Sequence, residues 1–345
     1  MRIALFSSYV PFVRGGDRQI VDWLATMLER RGHDVERIYL PSLPWENRVL
    51  QEMAAFRCVD FSAADRVICF RPPAHVIDHP VKVLWFIHHV REFYDLWGTE
   101  FSVFPDDAAH RGLRDRIRAI DTSAMREAHA VFTNSETVTN RLLEFNAMKS
   151  EVLYPPLLDP ERFRCDGFND EILCVGRVEP AKRQHLLVEA LGHTTSQVRL
   201  RLSGVSESPD YADHIRRLIS SQGLDDRVHF DNRWIDDEEK VDQMAACLAS
   251  AYVGYNEDSY GYSPLEASHA SKAILTTTDS GGVTELVIDG YNGFVVEPDP
   301  GMLAERMDQL FVDTDRTRQM GRAARRRVVD ELCIDWDHVI ERLLS

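Results

Sequence analysis

The chain has 345 residues, 44% of them hydrophobic and 28% charged, a globular balance that excludes a disordered protein. That length is long for one hydrophobic core and comfortable for two domains of about 100–200 residues each. A net charge of −16 argues against wrapping nucleic acid or lying on an anionic membrane by charge alone. A nucleotide ligand stays open, because exposed charges are largely screened beyond about 8 Å and local Arg and Lys decide its binding.

Met1-Arg-Ile-Ala-Leu-Phe opens a strand directly and lacks a signal-peptide layout, so a cytoplasmic location is expected. The six cysteines are scattered with no C-x-x-C pair and read as reduced packing residues. The apolar run Val83–Ile87 is far below the roughly 20 residues of a spanning helix, which leaves peripheral membrane contact at most.

Arg2–Ser8 reads as a buried strand, followed by a loop with Pro11 and Gly15-Gly16. Helical spacing runs from Asp17 to Arg30 and stops at Gly32. A strand, glycine-pair loop and helix form a candidate anion site, although the loop is neither G-x-G-x-x-G nor a Walker loop. Strands are expected at Asp34–Leu40, Arg66–Phe70 and Lys82–Ile87, the last running into His88-His89, either a capped strand edge or a functional pair. Arg91–Pro105 is an aromatic-rich loop, Leu113–Glu127 a helix, and Ala130–Glu136 a strand entering a helix capped by Asn134 or Ser135. Three prolines between Val152 and Pro160 force extended chain and mark a boundary.

The alternation then restarts. Glu171–Gly176 is a strand and Gly176–Lys182 a loop entering a helix, with Pro180 in its first turn. Arg177 and Lys182 lie beside that helix start, where cations are disfavoured unless an anion binds. A strand Val198–Gly204, a helix Asp210–Gln222, a strand Arg227–Phe230 and a helix Asp236–Leu248 follow, with Arg233-Trp234 between the last two. The apolar run Cys247–Tyr255 then leads into Asn256–Lys272. Here Gly261 makes a turn, Ser263 is placed to cap a helix, and Pro264 suits its first position. Asp258 and Glu266 flank the turn with seven residues between them, and Ser263-x-x-Glu266 also reads as a capping box. After a strand at Ala273–Thr277 come Gly281-Gly282-Val283-Thr284-Glu285, a corner at Asn292–Phe294, and helical patterns from Gly301 to the end. Asp313/Asp315 and Asp335/Asp337 match Asp-x-Asp but stand at helix starts, where acids cap and complement the dipole, so no metal site is expected.

The segment Asp258–Glu266 resembles the E-x7-E stretch of retaining glycosyltransferases of family 4, with Asp in place of the first Glu and Ser259 where Gly is common. Gly176-Arg-x-x-x-x-Lys182 and Gly281-Gly-x-x-Glu285 resemble that family's corresponding motifs. The resemblance implies an α/β protein of the GT-B fold, two Rossmann-like domains facing each other across a cleft. The expected division is 1–155 on the acceptor side, 156–330 on the donor side, and a C-terminal helix in 331–345 crossing back to the first domain. It further implies transfer of a sugar, with retention, from a UDP- or GDP-sugar to a hydroxyl acceptor such as a glycan, a lipid-linked sugar or a small-molecule glycoside. The nucleotide-sugar is then a co-substrate and no cofactor is expected.

On that resemblance Arg177 and Lys182 grip the diphosphate, helped by backbone at Gly15, Gly16 and the loop Ser259, Tyr260, Gly261, Tyr262 and Ser263. Gly204, Arg233 and Trp234 belong to the nucleotide pocket, Glu266 holds the ribose, and Asp258 and His88 face the transferred sugar. A sugar-nucleotide epimerase and a non-catalytic sugar- or nucleotide-binding protein are the alternatives. Double displacement through a protein nucleophile competes with same-face transfer.

Overall fold

A computed structural model describes residues 1–13, 15–42 and 48–345. The chain forms two units, Met1–Leu158 with Asp335–Ser345, and Asp159–Ile334. Each is built on one six-stranded sheet whose recorded strand pairs are all parallel.

In the first unit the order along the chain is β1 (Arg2–Tyr9), α1 (Gly16–Arg30), β2 (Asp34–Pro41), α2 (Val49–Arg57), β3 (Arg66–Cys69) and β4 (Lys82–Phe86). Then come α3 (Ala108–Arg126), β5 (Ala130–Thr133), α4 (Glu136–Asn146) and β6 (Glu151–Val152). The strands lie in the order β2-β1-β3-β4-β5-β6. Six consecutive residues of β1 and all of β4 are buried, as expected of parallel strands covered on both faces.

Three elements depart from the sequence expectation. Helix α2 was not anticipated, and α3 starts five residues earlier than expected because Asp107 caps it, accepting from the His110 amide at 2.9 Å. The corner expected at Asn292–Phe294 runs into a strand at Gly293–Val296.

The second unit contains β7 (Glu171–Val175), α5 (Gln184–His193), β8 (Arg199–Ser203), α6 (Pro209–Ser221), β9 (Val228–Asp231) and α7 (Asp237–Ala246). It continues with β10 (Ala249–Tyr252), α8 (Tyr262–His269), β11 (Ala273–Thr277), α9 (Val283–Leu286), β12 (Gly293–Val296), α10 (Pro300–Val312) and α11 (Thr314–Arg326). Its strand order is β12-β11-β10-β7-β8-β9. The chain therefore winds outward from β7 through β8 to β9, then returns to β10 on the other side. The switch lies between β7 and β10, and in such sheets ligands bind beside the carboxyl ends of the strands at that point.

The last helix, α12 (Trp336–Leu344), packs into the first unit. It buries Trp336, Val339, Ile340 and Leu343, one stripe at helical spacing, at about 1.5–3 kcal/mol for each side chain removed from water. Trp336 Nε1 donates to the Leu157 carbonyl at 2.9 Å, and its ring meets Trp85 edge-on at 6.2 Å. Arg342 grips Glu151 with two bonds of 2.9 and 2.8 Å. Asp335 caps this helix and Asp313 caps α11, each accepting from the backbone amide three residues on. Among the described residues no helix is long and apolar enough to cross a membrane.

Candidate functional site

The loops singled out from sequence in the second unit all leave carboxyl ends of its strands. Gly176-Arg177 follows β7, Gly204 follows β8, Arg233-Trp234 lies just past β9, Asn256–Gly261 follows β10, and Gly281-Gly282 follows β11. A parallel sheet puts all these ends on one edge.

Gly204 packs its backbone against that of Gly176. A Cβ there would stand 2.0 Å from the Gly176 carbonyl oxygen, and its φ is +147°, so only glycine fits. After β7 the chain makes a 3₁₀ turn, Pro180–Lys182, before α5 begins at Gln184. Pro180 therefore opens this short turn, where α5 was expected to start. Arg183 between them is left-handed, with φ +52°. Its guanidinium donates to both Asp279 carboxylate oxygens at 2.7 Å, to Thr277 Oγ1 at 3.0 Å and to the Val253 carbonyl at 2.8 Å. Burial pushes the Asp279 carboxyl up, but the bonds from Arg183 and Thr277 prevail and hold it below its ordinary range. Arg183 thus ties the loops after β7, β10 and β11 into one frame. Sequence reading missed it, because its partners lie up to 96 residues away.

Within that frame Lys182 is mostly buried. Its Nζ donates to Glu257 Oε2 at 2.6 Å and to Tyr252 Oη at 3.1 Å, and lies 5.2 Å from the Tyr252 ring centre. Burial works to lower its pKa, but the charge of Glu257 and the bonds to Glu257 and Tyr252 prevail and raise it. The ammonium is therefore charged at neutral pH. Arg177 is more open, with 47% of its side chain exposed and a contact of 3.3 Å to Glu179.

Asn256–Gly261 is stitched to its neighbours through backbone. The Tyr255 amide donates to Ala181, Asn256 to Asp279, Glu257 to Ser280, and Gly282 to Glu257. Gly261, at φ +75° with the Tyr252 ring 2.8 Å from where a Cβ would sit, caps α8. Tyr262 starts the helix, and Ser263, expected as its cap, stands inside the first turn with Oγ buried and without a protein partner. The capping box is therefore absent. Glu266 is 4% exposed and accepts from Lys240 Nζ of α7 at 2.6 Å. Burial raises the Glu266 pKa, with the Lys240 ammonium pulling the other way. Tyr260 is buried, Ser259 Oγ accepts from the Gly261 amide at 3.4 Å, and Asp258 is half-buried. Arg233 is exposed and neutralised by Asp231 at 2.8 Å and by Glu239, while 64% of Trp234 is exposed.

In the first unit Gly15 caps α1 and Gly16 begins it, with the Gly15 carbonyl accepting from the Arg18 amide at 3.1 Å. His88 follows β4, half-buried, its Nδ1 bonded to the His89 carbonyl. A carbonyl only accepts, so Nδ1 carries a proton, and in the neutral ring Nε2 is the nitrogen that can accept. His89 is core: 1% exposed, bonded to Asn146 at 2.8 Å, packed on Phe86 and Tyr94, and lowered by burial to a pKa of about 4.

The family model described as "Glycosyl transferases group 1" matches residues 162–327, the span holding all the second-unit loops above. Human alpha-1,3/1,6-mannosyltransferase ALG2 is 26% identical over 299 residues, covering 79% of this chain and 69% of its own length. Residues 162–327 belong to the group 1 glycosyltransferases. A second relative of this glycosyltransferase is the GDP-mannose-dependent alpha-(1-6)-phosphatidylinositol monomannoside mannosyltransferase of Mycolicibacterium smegmatis. It is 28% identical over 196 residues, and the chain spans about half of it, 51% of each sequence being covered. Among solved structures, Anabaena Alr3699/HepE in complex with UDP-glucose superposes with a TM-score of 0.71 at 19% identity, covering 99% of this glycosyltransferase and 98% of that chain. The fold is that of the GT-B glycosyltransferases.

Proposed function

We propose that this glycosyltransferase moves a hexose, with retention, from a UDP- or GDP-sugar to a hydroxyl acceptor. The observation that carries the reading is the cationic pair after β7. Arg177 stands open and Lys182 is held charged, both at the switch point of the sheet. Cations so placed stabilise the charge that grows on a diphosphate as its bond to the sugar breaks. HepE with bound UDP-glucose and a GDP-mannose-dependent relative support the two donor classes without choosing between them.

In this reading Arg177 and Lys182 hold the diphosphate, with backbone from Ser259 to Ser263 alongside and Gly204, Arg233 and Trp234 around the nucleoside. Glu266 accepts from the ribose hydroxyls, and Asp258 accepts from hydroxyls of the transferred sugar. From the first unit, the Gly15–Gly16 backbone serves the diphosphate and the Nε2 lone pair of His88 accepts from a sugar hydroxyl. The bond from the anomeric carbon to the phosphate oxygen breaks, and a bond to the acceptor oxygen forms on the same face. The acceptor's proton passes to the departing phosphate oxygen, so no side chain is needed as general base. Arg177 and Lys182 supply the neutralising charge without a metal.

A screen following nucleotide release from UDP- and GDP-sugars, with hydroxyl acceptors present and absent, tests this. Acceptor-dependent release with an α product from an α donor is expected. Equal release without acceptor, or an inverted product, refutes it.

A further inference from the structure

The sequence offers two adjacent acids, Glu257 and Asp258, and the structure gives them different work. The Glu257 carboxylate reaches inward to Lys182 Nζ and also accepts from Tyr252 Oη at 3.2 Å. Its side chain and that of Lys182 are each only 17% exposed. Its backbone is pinned on both sides, donating to Ser280 at 3.2 Å and accepting from Gly282 at 3.0 Å. The carboxylate is folded over Gly254, where a Cβ would lie 2.6 Å from Oε1 and 3.0 Å from Cγ. This is a built position for one anion against one cation.

A lysine ammonium has three protons to donate. Glu257 and Tyr252 take two of them, which leaves one for a phosphate oxygen. We propose that Glu257 is a positioning residue that keeps Lys182 aimed and half-neutralised, so that the nucleoside diphosphate left after transfer is held weakly enough to leave. This rests on the donor-site reading above. A carboxylate beside the phosphate lowers the net attraction for a diphosphate, and it does so most where little water screens the charges. Product release limits turnover in many enzymes, and a fixed counter-charge is one way to hasten it.

The test measures affinity for UDP, GDP and inorganic pyrophosphate by calorimetry, with steady-state turnover alongside. Glu257→Gln is expected to bind the preferred nucleoside diphosphate about ten-fold more tightly, with pyrophosphate shifting the same way, and to show stronger product inhibition and lower kcat. Glu257→Asp keeps the charge and is expected to stay near wild type. Gly254→Ala, which crowds the carboxylate off Lys182, is expected to tighten binding too and serves if Glu257→Gln fails to fold. A purely structural Glu257 would make affinity fall or stay level in Gln and Ala variants alike, and either result overturns the proposal. Wild type that binds none of the three probes overturns the donor-site reading itself, and the proposal with it.

Discussion

Replacing Lys240 by Met tests how Glu266 is held. The pair meets at 2.6 Å, with side-chain exposures of 17% for Lys240 and 5% for Glu266. Removing one partner of a buried ion pair typically costs about 3–5 kcal/mol, because the other charge is left in a dry place. Lys240→Met can escape part of that cost by protonating Glu266. Its carboxyl already has a raised pKa, from burial first, and Asp237 raises it further while Lys240 and Arg162 lower it. Without Lys240 the folded pKa rises further above the unfolded value of about 4.3. An acid raised in this way contributes stability that is fully present below the unfolded pKa and lost as pH climbs through the folded one. The variant should therefore lose about 3 kcal/mol relative to wild type at pH 8 and about 1 kcal/mol or less at pH 5. Urea unfolding followed by tryptophan fluorescence at both pH values measures this. Lys240→Met/Glu266→Gln, with both charges gone, should recover much of the loss at pH 8. An equal deficit at pH 5 and pH 8, or a double variant no better than the single, refutes the reasoning.

Arg177→Ala, at an open side chain, should keep its melting temperature and lose about 10²–10³ in turnover, the usual cost of one oxyanion stabiliser; an unchanged rate would remove Arg177 from the diphosphate. Activity should survive saturating chelator, and abolition rescued by manganese or magnesium would restore a metal to the mechanism. His88→Ala should cut turnover while UDP or GDP affinity by calorimetry stays constant; a fall in that affinity places His88 elsewhere. Asp335→Ala should destabilise the first unit by about 0.5–2 kcal/mol through the lost α12 cap, measured by thermal melting, with turnover per folded molecule unchanged.

The alternation of strands and helices was legible because each sheet is fully parallel and covered, so its strands read as apolar runs between turn signals. Helix α2 was not, since nine residues carry only Val49, Met53 and Phe56 as a buried face and no side chain caps its start. Apolar spacing puts the start of α3 at Leu113, whereas the physical start is the Asp107 cap. The same kind of local evidence misled at Glu266. Ser263-x-x-Glu266 has capping-box spacing, but Gly261 is the cap, and an ammonium 26 residues away takes the carboxylate. Arg183 and Glu257 carry no signal of their own. Their importance comes from partners 96 and 75 residues distant, which only the folded sheet brings together.

The histidine pair after β4 shows why the loops proposed for the donor read more clearly than the residue proposed for the sugar. Both histidines lie past the end of β4, and their hydrogen-bond partners separate them. His89 turns inward to Asn146, part of a buried polar cluster in which His75 and Tyr94 also close on Asp121 at 2.8 and 2.6 Å. These groups are titratable and buried, yet their partners are fixed scaffold, which makes them packing. His88 is half-buried, and its bond to the His89 carbonyl leaves Nε2 as the nitrogen that can accept in the neutral ring. The loops proposed for the diphosphate carry glycine, cation and helix start within a few residues. The role proposed for His88 has no such local signature, because it rests on one side chain beyond the end of a strand.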